Sequence, residues 1–238
     1  MQTLLERSFY SESQATYPRL VTSIHQIEIT SRCNLACVYC PSPHLQRPKI
    51  DMDFKTYLRA LEWVETCVKK GTQTELNLAG IGESTMHPDF IDYVRLARET
   101  VGPYIRLVLA TNGLLITEEM VKKLQPYDLR VWVSVHRPEK CGRAIGLLRE
   151  YGLFEAISTD PATSSIAWAG QVDWKVTAPR SPCPWLTYGW VMVMADGRLT
   201  TCCLDASGVG VVGHIDDEIS EVYIKPYKLC DTCEQAVP

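Results

Sequence analysis

The sequence predicts an α/β fold: parallel β/α units curved into a partial barrel, followed by a small cysteine-bearing unit built on a β-hairpin and a helix. Three observations predict it. Strand-like and helix-like periodicities alternate from about residue 24 to residue 158. Several of those strands carry polar residues on one face near their ends. After about residue 165, prolines and an Asp-Gly turn replace the alternation. Strands separated by helices form parallel units with right-handed crossovers. A flat doubly wound sheet has the same rhythm, so periodicity alone leaves that arrangement open.

Each element has its own signal. In the first strand, Ile24 to Thr30, Ile27 and Ile29 alternate with Gln26, Glu28 and Thr30. A helix from about Lys55 to Lys70 shows Leu58, Leu61, Val64 and Val68 on one stripe; Lys69 and Lys70 suit its C-terminal dipole and Gly71 ends it. Glu75 to Ala79 is the second strand. His87-Pro88 opens a helix to about Thr100. Ile105 to Thr111 is the third strand, and Thr117 caps a short helix that begins with Glu118 and Glu119. The fourth strand, Leu129 to Val135, alternates Leu129, Val131, Val133 and Val135 with Arg130, Trp132, Ser134 and His136. A helix from about Pro138 to Tyr151 and a strand near Phe154 to Ser158 continue the pattern. Beyond it, Tyr188 to Ala195 and Arg198 to Cys202 flank Asp196-Gly197, a two-residue hairpin signal. A short helix is expected near Asp217 to Ile224, with Asp216-Asp217 as its acidic start. The implied division is an N-terminal extension at 1–23, a barrel at 24–178 and a cysteine unit at 179–238.

The 238 residues include ten cysteines, 46% hydrophobic residues and 22% charged residues, with a net charge of −4. That composition supports a real core and excludes a disordered or collagen-like chain. No basic run suggests nucleic acid. The N-terminus lacks the apolar stretch of a signal peptide, and no run is long enough to span a membrane. The expected location is the cytoplasm, where thiols stay reduced and clustered cysteines favour metal over disulfides.

Polar groups on one face of several strands (Glu28, Asn77, Asn112, Ser134) suggest a cavity for something polar, since a filled barrel interior is mostly branched aliphatics. Cys33, Cys37 and Cys40 stand as CNLACVYC directly after the first strand. Structural zinc wants four protein ligands, whereas three thiolates leave a position open, as in an iron–sulfur cluster with one unligated iron.

This CxxxCxxC run, with aromatic Tyr39 before its last cysteine, resembles the radical S-adenosylmethionine superfamily. Gly80-Ile81-Gly82-Glu83 resembles that family's Gly-Gly-Glu motif for the cosubstrate amino group, Ala110-Thr111-Asn112-Gly113 resembles its TNG strand end, and Ser134 matches a position that contacts the ribose. The resemblance covers about residues 24–160 and implies a partial (β/α)6-like barrel. It also implies a [4Fe-4S] cluster on Cys33, Cys37 and Cys40 whose open iron is chelated by S-adenosylmethionine. Tyr39, Gly80, Gly82, Glu83, Asn112 and Ser134 would contact the cosubstrate. Its reductive cleavage would give a 5′-deoxyadenosyl radical that takes hydrogen from the substrate.

Cys183 is followed by thirteen residues, Gly197, four residues and Cys202, and Cys230-x-x-Cys233 follows later. This resembles the Twitch extension of radical enzymes and implies one auxiliary [4Fe-4S] cluster on Cys183, Cys202, Cys230 and Cys233. Five residues follow Cys233, too few for a second auxiliary cluster. Four cysteines from a hairpin and a CxxC are also zinc-ribbon chemistry. The GX4C count selects Cys202 over Cys203; Cys67 and Cys141 read as buried fillers.

His136 and Asp160 are the candidate catalytic groups, at the mouth of the fourth and fifth strands. Trp132 and Trp168 could wall the cavity, although core packing is the commoner role; His44 and His87 read as surface residues of the flanking loops. The expected activity is radical oxidation of a small polar molecule, by analogy with Twitch dehydrogenases of aminocyclitols, the second electron leaving through the auxiliary cluster. The expected partners are a small-molecule substrate and an electron donor such as flavodoxin or ferredoxin. Epimerisation, decarboxylation or peptide modification are alternatives. The roughly 25 residues before the first strand are few for a leader-binding domain, which weighs against peptides. From another class, a non-catalytic metal-stabilised binding protein predicts zinc and no cosubstrate cleavage.

Overall fold

The structure is a computed structural model that describes residues 17–135, 137–159, 167–173 and 182–233. Its elements in chain order are β1 (Arg19–Leu20), β2 (Ser23–Ile27), α1 (Phe54–Lys69), β3 (Glu75–Asn77), α2 (Phe90–Val101), β4 (Arg106–Thr111), α3 (Glu118–Leu124), β5 (Leu129–Ser134), α4 (Pro138–Glu150), β6 (Phe154–Thr159), α5 (Pro184–Tyr188), β7 (Trp190–Val193), β8 (Arg198–Thr200), β9 (Val211–His214) and β10 (Tyr223–Ile224).

Eight strands form one sheet in the order β6-β5-β4-β3-β2-β7-β8-β9. The pairings from β6 to β7 are parallel, and β8 and β9 continue the sheet antiparallel. The first barrel strand is therefore central, with β3 on one side and β7 of the cysteine unit on the other. The sheet runs unbroken across the 178/179 division.

The helices form one layer. α1 packs on α2, α2 on α3 and α3 on α4, each neighbour in turn. A doubly wound sheet would carry helices on both faces. Here β5 reads alternately buried and half-buried: Leu129, Val131 and Val133 face the helices, and Arg130, Trp132 and Ser134 face the other way. The sheet's second face lines a cavity.

Caps follow local chemistry. Asp53 Oδ1 accepts from the Thr56 amide at 3.0 Å to start α1, and Thr117 accepts from the Met120 amide at 3.2 Å to start α3. Gly71, beyond α1, and Gly197, in the β7–β8 turn, have φ of +70° and +84°, which favour glycine. Cys67 and Cys141 are buried in the helix layer.

Three expectations change. No helix forms at Asp217 to Ile224: a 3₁₀ turn at Ile219–Glu221 leads into β10. Val222 and Ile224 are buried and Tyr223 exposed, an alternation that suits a strand, and β10 pairs antiparallel with β1. Asp217 instead accepts from the His214 amide at 2.7 Å. The helix of the cysteine unit is α5, with Pro184 in its first turn. The helix expected from His87 begins at Phe90, because His87 is held elsewhere. His87 is 4% exposed, not a surface residue; its Nε2 meets the Met52 carbonyl at 3.0 Å and its Nδ1 accepts from the Asp89 amide at 3.1 Å.

Candidate active site

A cavity of about 270 Å³ opens on the inner face of the sheet. The loop after β2 brings Cys33, Cys37, Tyr39 and Cys40 to it; the turn after β3 brings Gly80, Gly82 and Glu83; the strand ends bring Asn112 and Ser134. Every expected residue of the first cysteine cluster and of the cosubstrate set thus lines one cavity. Trp132 and Trp168 line it too, so both are walls of the cavity rather than core packing. His136 and Asp160 lie outside the described residues.

Close backbone approach explains both glycines. A Cβ on Gly82 would lie 2.3 Å from the Thr30 carbonyl oxygen and 2.6 Å from that of Arg32. A Cβ on Gly80 would lie 2.3 Å from Cγ of Glu28. The turn therefore nests against the start of the cysteine loop, and the Glu83 amide donates to the Arg32 carbonyl at 2.8 Å.

Glu83 is 3% exposed. Its Oε1 accepts from the Thr85 hydroxyl and the Thr111 hydroxyl, each at 2.6 Å, and from the Thr85 amide at 3.3 Å. Its Oε2 accepts from the Asn112 amide at 2.7 Å. Each carboxylate oxygen has about two lone-pair positions, so Oε1 is fully engaged while Oε2 keeps one acceptor position. Asn112 Nδ2 in turn donates to Asn34 Oδ1 at 2.7 Å, which fixes the cysteine loop to the end of β4. Asn34 has no sequence signal, because its partner is 78 residues away.

Glu28 is fully buried and does not line the cavity. It accepts from Arg47 Nη2 at 2.7 Å, from the Ile81 amide at 3.0 Å and from the Ala195 amide at 3.0 Å. Arg47 Nε donates to the Ala206 carbonyl at 2.7 Å. One ion pair thus joins the cysteine loop, the glycine turn and the cysteine unit.

A second cavity is lined by Cys183, Cys202, Cys230 and Cys233, with Tyr227 and Leu229. Cys202 lies here, whereas Cys203 and Leu204 line the first cavity. Adjacent residues therefore face the two cavities. Asp205, with no solvent exposure, shapes the loop: Oδ1 accepts from the Gly208 and Val209 amides at 2.9 and 2.8 Å, and Oδ2 from the Gly210 amide at 2.7 Å and the Thr200 hydroxyl at 2.6 Å. All four partners lie within five residues of Asp205, so the signal was a local one, an Asp ahead of Gly208-Val209-Gly210, that sequence reasoning missed.

Both thiol sets fit iron–sulfur clusters. Two buried polar atoms, Ser42 Oγ and Asn77 Oδ1, have no partner, and both residues line the first cavity. Backbone amides of Ser42, Leu204 and Tyr227 point at the sulfurs of Cys40, Cys202 and Cys230, at 3.5, 3.3 and 3.5 Å. Among the described residues, no three His, Cys, Asp or Glu side chains close on a single-ion position. Burial pushes the Cys40 and Cys183 thiols up to about 11, and raises the Tyr39 phenol, to which contact with Cys37 adds. Ligand thiols must lose their protons, so loading either site releases protons.

A fold with an inner-face cavity, cysteines on the loop after its first barrel strand and a second cysteine-lined cavity defines a class of cluster-bearing α/β proteins. The model of the Radical SAM superfamily matches residues 27–153, just over half of the chain. The chain belongs to the radical SAM superfamily, which uses a [4Fe-4S] cluster and S-adenosylmethionine. It is 40% identical over 98 residues to the tungsten-containing aldehyde ferredoxin oxidoreductase cofactor-modifying protein of Pyrococcus furiosus, covering 41% of this chain and 26% of that protein. It is 33% identical over 103 residues to the PqqA peptide cyclase of Ruegeria pomeroyi, covering 43% and 25%. The matched segments thus span about a quarter of each of these relatives. Among solved structures, BtrN in complex with AdoMet and 2-DOIA superposes with a TM-score of 0.69 at 20% identity, covering 83% of this chain and 79% of that one. Among the described residues, no helix is long and apolar enough to cross a membrane.

Proposed function

We propose that this radical SAM protein is an oxidoreductase of a small polar substrate. Cys33, Cys37 and Cys40 would hold the first [4Fe-4S] cluster, and Cys183, Cys202, Cys230 and Cys233 an auxiliary one. When bound, the first cluster and S-adenosylmethionine supply a radical that removes hydrogen from substrate. The chain's residues bind, orient and shield: Gly80 and Gly82 let the backbone approach, Asn112 and Ser134 present polar groups, and Tyr39 covers the cysteine loop. Glu83, engaged by four donors, acts by holding Thr111 and Asn112 in place.

The observation that carries the oxidative reading is the shared wall. Cys203 lines the first cavity and its neighbour Cys202 lines the second. This gives a short route for the second electron toward the auxiliary site. Four thiols ring the second cavity, and membership of a superfamily that uses iron–sulfur clusters favours a multi-iron cluster there over zinc. Clustered thiols reserved for metal suit a reducing compartment such as the cytoplasm; an external reductant such as flavodoxin or ferredoxin would supply the first electron.

The test is product analysis of anaerobically loaded protein with reductant, S-adenosylmethionine and candidate aminocyclitols. The expected product is two electrons more oxidised than its substrate. Cosubstrate cleavage with a product at the substrate's oxidation state would contradict it. Similarity to a peptide cyclase favours a second reading, peptide modification. A deuterium-labelled peptide that passes its label to 5′-deoxyadenosine would establish that reading instead.

A further inference from the structure

Two stretches of chain split neighbouring residues between the two cavities. Cys202 lines the second cavity, and Cys203 and Leu204 the first. Trp168 lines the first cavity and Ala169 the second. Trp168, Ala169 and Gly170 have φ of +52°, +54° and +78°. They form one left-handed turn, in which the Gly170 and Gln171 amides donate to the Ala167 and Trp168 carbonyls, each at 3.1 Å. In that conformation Cβ crowds the following carbonyl. Successive non-glycine residues there are strained and persist only where their surroundings hold them.

The cysteine segments of the second site supply contacts that hold this turn. Thr232, between Cys230 and Cys233, donates its hydroxyl to the Ala169 carbonyl at 2.7 Å. Gln171 Nε2 donates to the Trp168 carbonyl at 2.7 Å and to the carbonyl of Leu204, two residues after Cys202, at 2.5 Å. Ala169 and Cys233 are the buried pair of a small apolar cluster, with Leu204, Leu229 and Cys230 packed against them. A Cβ on Gly170 would lie 3.1 Å from Thr232 Oγ1, so the turn sits directly on the Cys230–Cys233 segment. A metal group that fixes the four thiols fixes both segments, and packed, hydrogen-bonded neighbours pass that order to the turn.

We infer that Thr232 and Gln171 are positioning residues for Trp168, and that filling the second cysteine site sets this wall of the first cavity. The molecule held in the first cavity then meets an ordered indole only when the second site is filled. The inference rests on the reading of Cys183, Cys202, Cys230 and Cys233 as a metal-holding set.

The test uses the full chain, loaded anaerobically, with iron content measured for every variant. Hydrogen exchange is followed by mass spectrometry in peptides covering residues 167–173, with α1 to α4 as the folding control. In Thr232→Val and Gln171→Met, exchange at Gly170, Gln171 and Val172 should quicken about tenfold or more, as expected when a hydrogen bond is lost. Thr232→Ser keeps the hydroxyl and should stay within about threefold of wild type. Cys183→Ala, which empties the second site, should quicken exchange about as much as Thr232→Val. Ala169→Gly added to Thr232→Val should return part of the protection, because glycine takes a positive φ without the Cβ cost. With 5-fluorotryptophan incorporated, the Trp168 fluorine resonance, assigned by its loss in Trp168→Phe, should shift in Thr232→Val and return in Thr232→Ser.

Unchanged exchange in Thr232→Val or in Cys183→Ala would overturn the inference. So would a serine variant as loose as the valine one, no gain from Ala169→Gly, or a Trp168 resonance that stays in place. Quickening spread equally over α1 to α4 would also overturn it, by making the loss global. Zinc in the second site of the wild type would sink the auxiliary-cluster reading, while the Thr232 comparison would still decide this inference. A wild type with both clusters and an unprotected turn would sink this inference alone.

Discussion

The Glu28 carboxylate receives hydrogen bonds from Arg47, the Ile81 amide and the Ala195 amide, with no solvent exposure. Removing its charge would strand a guanidinium whose Nη1 already lacks a partner. Glu28→Ala should therefore cost about 3–5 kcal/mol, read from a urea melt. Glu28→Leu combined with Arg47→Met should recover much of that loss, since a packed apolar pair can replace a buried ion pair. If the double variant is as unstable as Glu28→Ala, the loss is not one of stranded charge. The two glycines separate by what they meet. Gly80→Ala would press on the Glu28 side chain, whereas Gly82→Ala would meet the Thr30 and Arg32 backbone, which cannot rotate away. Gly82→Ala should fold but load the first cluster poorly, giving about four irons per chain where the wild type holds about eight. A normal iron content would disprove that close approach as the glycine's role.

At the scale of elements, the seam between β2 and β7 joins the barrel to the cysteine unit. His25 of β2 stacks on Trp190 of β7 at 3.9 Å and meets Trp185 of α5 edge-on at 5.3 Å. Burial lowers its pKa to about 4. Glu75, at 3.5 Å, is also bound by Arg106 at 2.8 Å, which draws its charge away from the imidazole. The unfolded chain therefore binds a proton below about pH 6.5 that folded His25 refuses until about pH 4. Stability should fall by about 3 kcal/mol as pH drops through that window. His25→Phe should flatten this part of the profile; a slope unchanged by the substitution would assign the titration elsewhere.

The same scale shows what was legible. The elements from α1 to α4 were readable because amphipathic periodicity and caps are local. β10 was misread because Asp216-Asp217 resembles a helix start, while the pairing with β1 that makes it a strand is distant in sequence. The short helix α5 was hidden by prolines that read as interruptions, although Pro184 occupies the first turn, where proline is tolerated.

For the whole molecule, the cysteine spacings and the glycine turn showed which residues would meet, and the cavities bring them together. What they could not show is what holds them: the Glu28–Arg47 pair and the Asn34–Asn112 bond join residues 19 and 78 positions apart and have no local signature. Alternation also placed Glu28 on the cavity face, whereas it is fully buried and paired with Arg47. We propose that the division at 178/179 is one of chemistry, because the sheet crosses it without a break. Unfolding should then be one cooperative transition; separate transitions for barrel and cysteine unit would contradict this.

We propose two cysteine-held clusters with different roles. The most direct measurement is the iron, sulfide and zinc content of anaerobically prepared protein, alongside Cys183→Ala. The expected result is about eight irons and eight sulfides per wild-type chain, falling toward about four of each in the variant. About four irons with one zinc in the wild type, the zinc lost in Cys183→Ala, would contradict it.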